Sequence, residues 1–235
     1  MNKERTGPIR VLVFPTCSEP GLEIVRALID QPGLEIVGGS SLPPSQDPSS
    51  LILRHHVTIP WLGAGEFRDA LMNILGDYRI QVVFPATDGL IAALSRTDMG
   101  DVVLVAPRPD ITEICLSKLK TYERLQGVVP VPRIYLDDGE VEFPAYAKPL
   151  EEAGMRGHMR VNDPEDLRIA RKRDLLVTEF LPGEEYEVNC LSDLQGDLLY
   201  ANIRRLGRRR SLPGSIAYPD AGRGAPPDPP LSGGP

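Results

Sequence analysis

A lysine on a short strand, followed at once by a glycine-bearing loop, is the arrangement in this sequence best suited to chemistry. Lys148 closes the segment Ala145-Tyr146-Ala147-Lys148, where strand alternation puts it on the face opposite Ala145 and Ala147. A compact ammonium on a rigid strand suits point-charge binding of a phosphate. Gly154 and Gly157 then flank Arg156, and such glycines let a loop close over phosphate with its backbone amides. Taken alone, Lys148 equally fits an exposed lysine before an ordinary loop.

Farther on, the run from Leu175 to Asn189 joins a buried strand, a turn and a second strand. The end of its first strand can offer backbone N–H and C=O groups to the edge of a purine ring. Glu185, Glu187 and Asn189 share one face of the second strand. A carboxylate there can accept hydrogen bonds from both hydroxyls of a ribose, although a solvated hairpin face has the same pattern.

Other segments carry weaker signals. The first strand opens onto Pro15-Thr16-Cys17-Ser18-Glu19-Pro20-Gly21, with one glycine where a dinucleotide fingerprint needs three. Asp88 follows a strand ending at Pro85 and sits where a small ligand, a helix cap or solvent would each suit it. Arg204, Arg205, Arg208, Arg209 and Arg210 cluster near the end. Cys17, Cys115 and Cys190 are far apart without CxxC spacing, which argues against a disulfide framework or zinc knuckle and for a reduced, cytoplasmic setting.

The elements that must position these residues fall into two patterns. Strands are expected at Ile9–Phe14, Leu34–Val37, Gln81–Phe84 and Val102–Val105. Helices are expected at Glu19–Asp30, Phe67–Leu75 and Thr87–Leu94, with a loop at Ser40–Ser50. The continuous apolar run at Ile9–Phe14 suits a strand buried on both faces, and the alternation implies parallel βαβ crossovers. Asp110 to Glu113 has capping-box spacing and is expected to start a helical stretch that ends between Gly127 and Pro132. Beyond it the pattern becomes α+β with mainly antiparallel strands: Pro144–Pro149, a helix from Asp163-Pro164-Glu165-Asp166, then Leu175–Phe180, Glu185–Leu191 and Leu198–Ile203.

Composition is ordinary for a globular chain, with 41% hydrophobic and 25% charged residues. The net charge of −7 gives no support to general nucleic-acid affinity. The apolar runs are strand-length, so no membrane partner is expected, and the polar start lacks the pattern of a signal peptide. Gly224–Pro235 contains almost nothing that could build a core and is expected to be disordered.

The succession Ser117-Lys118-Leu119-Lys120-Thr121, Val131-Pro132, Tyr146-Ala147-Lys148-Pro149, a glycine loop, Val177-Thr178-Glu179-Phe180-Leu181-Pro182-Gly183 and Glu185-Tyr186-Glu187 resembles the ATP-grasp superfamily. The carbamoyl-phosphate-synthase-like and pyrrolysine-biosynthesis-ligase-like members look most similar. The resemblance implies an α/β chain with a flexible N-terminus (1–8), a Rossmann-like pre-ATP-grasp domain (9–115) and an incomplete α+β ATP-grasp nucleotide-binding lobe (116–205). An Arg/Pro/Gly-rich tail (206–235) follows. It further implies ATP as cofactor, with Lys118 and Lys148 on the phosphates and Gly154, Arg156 and Gly157 in the covering loop. Glu179, Phe180 and Leu181 match the adenine-binding hinge, and Glu185 matches the ribose carboxylate. Arg204 and Arg205 match a position that faces the transferred phosphate or acyl substrate, and are the candidate catalytic residues.

In this family ATP phosphorylates a carboxylate, and an amine then attacks the acylphosphate. Small carboxylate and amine substrates are therefore the implied partners, with a homo-oligomer admitted. The family's magnesium ligands, an acid followed by a Glu-x-Asn pair, have no match after Asp197, where the only acids are Asp220 and Asp228. No metal ligand is therefore assigned. The sequence is expected to leave its ancestral reading frame near Leu206–Ser211, giving a truncated C-terminal lobe without most catalysis. The alternatives are a non-catalytic nucleotide- or small-molecule-binding module and, behind it, a Rossmann NAD-dependent enzyme.

Overall fold

The computed structural model describes residues 7–151, 157–193 and 195–206. The chain divides into two compact units, residues 1–180 and 181–235.

Within the first unit, β1 (Ile9–Phe14), β2 (Leu34–Ser40), β3 (His55–Thr58), β4 (Val82–Pro85) and β5 (Val103–Leu104) form a parallel sheet in the order β3-β2-β1-β4-β5. β1 is central, which explains its uninterrupted apolar sequence. Leu12 and Phe14 pack on one side with Phe67, Leu71 and Leu75 of α2 (Phe67–Asp77) and with Leu90 and Leu94 of α3 (Asp88–Leu94). Val11 and Val13 pack on the other with Val25 of α1 (Glu19–Leu28). Each sheet face is thus covered by helix, as a parallel sheet requires.

The loop between β1 and α1 shows why a single glycine stands there. Ser18 caps α1 by accepting from the Gly21 N–H at 3.1 Å. A Cβ on Gly21 would lie 2.0 Å from the Pro15 carbonyl oxygen. Helix and loop can approach this closely only without a side chain.

Two helices follow, α4 (Pro109–Leu116) and α5 (Lys118–Leu125). The expected capping box at Asp110 is not formed. The helix begins one residue earlier at Pro109, with Arg108 in the cap position and no side-chain cap bond. The fixed φ of proline suits the first turn, and Asp110 instead pairs with Arg108 at 2.9 Å. Ser117 interrupts the expected single stretch and caps α5, its hydroxyl accepting from the Lys120 N–H.

A second, antiparallel sheet has the order β7-β6-β8, built from β6 (Ala145–Lys148), β7 (Met159–Val161) and β8 (Leu176–Glu179). Ala145, Ala147, Val161 and Val177 form its core face with Leu167 and Ala170 of α6 (Pro164–Lys172). Asp163 caps α6 as its sequence requires, accepting from the Glu165 and Asp166 N–H groups at 3.0 and 2.9 Å. The second unit contributes an antiparallel ribbon, β9 (Glu185–Ser192) with β10 (Leu198–Leu206). The strands β3 and β7 were not expected from sequence. The boundary at 115/116 falls in the last turn of α4 and remains an expectation, and 1–6 and 207–235 lie outside the described residues.

Candidate functional site

Lys148 lies on the face of the antiparallel sheet turned away from its core. Ala145 and Ala147 are fully buried, whereas Tyr146 and Lys148 are half-buried. Register puts Arg160 of β7 and Thr178 of β8 opposite Tyr146, and Leu176 opposite Lys148. Alternation carries His158 and Phe180 to the same side. This face therefore combines cations with aromatic rings. The Arg160 guanidinium sits 4.6 Å from the centre of the Phe180 ring. Tyr146 meets His158 edge-on, with its hydroxyl 3.1 Å from Nδ1.

The lysine is not left to solvent. Its Nζ donates to the Tyr122 hydroxyl and lies 4.8 Å from the centre of that ring. Tyr122 is on α5, one turn beyond Lys118, and the Lys118 N–H donates to the Leu150 carbonyl at 2.9 Å. The start of α5 is thus fastened just past the end of β6. Both lysines singled out from sequence belong to elements that touch. Tyr122 was missed by sequence reasoning; its one legible signal is the four-residue spacing from Lys118 on a helix.

Gly157 has φ of +72°, and a Cβ there would stand 3.0 Å from Pro149 Cγ. Both facts favour glycine. Gly154 and Arg156 lie outside the described residues. At the hinge, the Glu179 N–H donates to the Arg133 carbonyl at 2.9 Å and is committed to the fold.

The remaining expected residues belong to the second unit. Leu181 and Glu185 are exposed, and Glu185 opens β9. Arg204 and Arg205, the candidate catalytic residues, are both ion-paired along the ribbon. Arg204 meets Glu187 at 2.8 Å, and Arg205 meets Glu184 at 2.9 Å. Hydrogen bonds from Asn189 and Arg204 hold the Glu187 carboxyl below its usual value. The arginines therefore carry local partners rather than a free positive face.

Asp88 lines a cavity of about 120 Å³ with Ile91, Pro107, Thr112, Cys115 and Leu116, well below the roughly 300–1,000 Å³ of ligand pockets. Among the described residues, no group of three or more His, Cys, Asp or Glu is placed to hold a metal ion. Among the described residues, no helix is long and apolar enough to cross a membrane.

No family model matches the chain. A D-alanine–D-alanine ligase of Thermotoga petrophila is 29% identical over 94 residues, covering 35% of this chain and 31% of that enzyme. N5-carboxyaminoimidazole ribonucleotide synthetase from Thermotoga maritima superposes with a TM-score of 0.64 at 15% identity, over 85% of this chain and 54% of that one. The biotin carboxylase domain of Hydrogenobacter thermophilus 2-oxoglutarate carboxylase, solved with MgADP, ADP and bicarbonate, gives 0.62 at 14%, over 80% and 48%. The chain spans about half the length of these solved structures. Its parallel sheet, followed by the sheet that bears Lys148, has the fold of the ATP-grasp ligases.

Proposed function

We propose that the chain binds ATP, with the phosphates engaged by Lys148 and Lys118 and the adenine at the Glu179–Leu181 hinge. The observation that carries this reading is the position of Lys148. It stands on the sheet face opposite the buried alanines, with Phe180 just past the end of β8, beside the helix that begins with Lys118. A strand-borne ammonium is a fixed point charge for a phosphate, and an aromatic ring at the strand end offers a flat apolar neighbour to a purine. ADP bound to a structural relative supports the choice of nucleotide. Gly154, Arg156 and Gly157 as phosphate cover, and Leu181 and Glu185 from the second unit, enter through the sequence resemblance.

The reaction class that accompanies this fold is ATP-dependent ligation of a carboxylate to an amine, through an acylphosphate. We assign this chain the nucleotide-binding part of that chemistry. Its place among the carbamoyl-phosphate-synthase-like and pyrrolysine-biosynthesis-ligase-like members rests on the sequence resemblance. Three exposed free cysteines suit the reducing cytoplasm proposed for it.

Titration with a non-hydrolysable ATP analogue, with and without magnesium, tests the reading. Binding that is lost in Lys148→Ala is expected. Binding of NAD with indifference to Lys148, or no nucleotide binding at all, would sink it.

A further inference from the structure

Lys118 and Tyr122 leave α5 from the same face, one turn apart. The Tyr122 hydroxyl accepts from Lys148 Nζ, which places the ammonium at the hydroxyl edge of the ring, 4.8 Å from its centre. That hydrogen bond holds the charge in one place. An unbranched lysine side chain has many rotamers, and ordering it opposes binding when it happens at the moment of binding. Here the ordering is already done. One N–H of the ammonium is used by the phenol, leaving two for an anion.

Tyr122 is itself held in place. Ser117 caps the helix, Thr121 Oγ1 donates to the Ile114 carbonyl at 2.7 Å, and the Lys118 N–H is tied to Leu150 at 2.9 Å. The aromatic ring thus has a rigid base that reaches both α4 and the end of β6. The geometry points to Tyr122 as a positioning residue that holds the Lys148 ammonium ready for the phosphate chain of a nucleoside polyphosphate. This inference rests on the nucleotide reading above.

The test compares ADP with adenosine, by calorimetry on the full chain, in the wild type, Tyr122→Phe, Lys148→Met and the double variant. Phenylalanine keeps the ring and removes only the acceptor. Tyr122→Phe is expected to weaken ADP by about threefold to tenfold, the range of one charge-assisted hydrogen bond, and to leave adenosine unchanged. In the Lys148→Met background the same change is expected to have no further effect. A general structural defect would weaken both ligands and persist in the double variant, and that outcome overturns the proposal. Unchanged or tighter ADP binding in Tyr122→Phe also overturns it, while leaving the nucleotide site intact if Lys148→Met still weakens ADP. A wild type that binds neither ligand removes the nucleotide reading and this inference together.

Discussion

Arg204 and Glu187 stand directly opposite each other across the β9–β10 ribbon, with the guanidinium 2.8 Å from the carboxylate. The pair is exposed to solvent, so its Coulomb attraction is screened and offset by the cost of ordering two long side chains. Arg204→Ala is therefore expected to leave the urea unfolding midpoint within error of the wild type. A large loss of stability would show that Arg204 makes buried contacts. The ion pair also bears on function, because a phosphate approaching Arg204 would meet the negative charge of Glu187 beside it.

A second polar cluster is centred on a buried carboxylate and should behave differently. The Asp47 side chain has no exposed surface. It lies 2.6 Å from the Thr16 hydroxyl and 2.9 Å from His56 Nε2, and accepts from the Ser49 N–H at 2.9 Å. Burial pushes its carboxyl up, but hydrogen bonds led by Thr16 and His56 outweigh it and hold the group below 3.8. A carboxyl depressed in the folded state contributes stability above its unfolded value and loses it as pH falls through the folded one. The loss therefore lies below about pH 3.8. Asp47→Asn is expected to cost about 1–3 kcal/mol near neutrality, the range for disturbing buried hydrogen bonds, and to flatten the acid limb. Urea midpoints measured from about pH 5 down to about pH 3 check this; an equally steep limb in the variant would refute it.

What the residues disclosed in advance, and what they concealed, follows from the range of the interactions. Ile9–Phe14 was legible because burial on both faces demands an unbroken apolar run. The alternation of Ala145, Ala147 and Lys148 and the cap at Asp163 are also local signals, and the structure has both. β3 was not legible, because His55, His56 and Thr58 form an edge strand through pairing with β2 rather than through an apolar pattern of their own. β7 is only three residues long. The contact between Tyr122 and Lys148 joins residues 26 apart, and no periodicity reports such a pair. The helical stretch at Asp110 was legible, but its capping box did not form because proline at the preceding position set the first turn.

Gly21 offers a test of close packing independent of any ligand. Its missing Cβ would sit 2.0 Å from a backbone oxygen, which cannot rotate aside as a flexible side chain would. Gly21→Ala must therefore move α1 or the Pro15 loop, against the packing of Val25 on Val11 and Val13. A destabilisation of about 1–3 kcal/mol is expected, as for overpacked sites, even though alanine is the better helix former. Gly76, also helical but with open space around its Cβ position, is the control: Gly76→Ala is expected to be neutral or stabilising. Denaturant unfolding of the two variants separates the effects, and equal behaviour would refute the close-approach argument.

Glu185 opens β9 with an exposed side chain, and its proposed role makes a prediction that its surroundings alone do not. A carboxylate that accepts from both ribose hydroxyls should distinguish ADP from 2′,3′-dideoxy-ADP. Glu185→Gln keeps the shape and removes the charge that strengthens both bonds. The variant is expected to bind ADP about tenfold more weakly, the scale of losing charge assistance in a hydrogen-bonded contact, while binding of the dideoxy analogue changes little. Competition titrations with the two ligands measure the difference directly. If Glu185→Gln weakened both nucleotides equally, the carboxylate would be acting on the ribbon or on the whole field of the site, and its assignment to the ribose would fall.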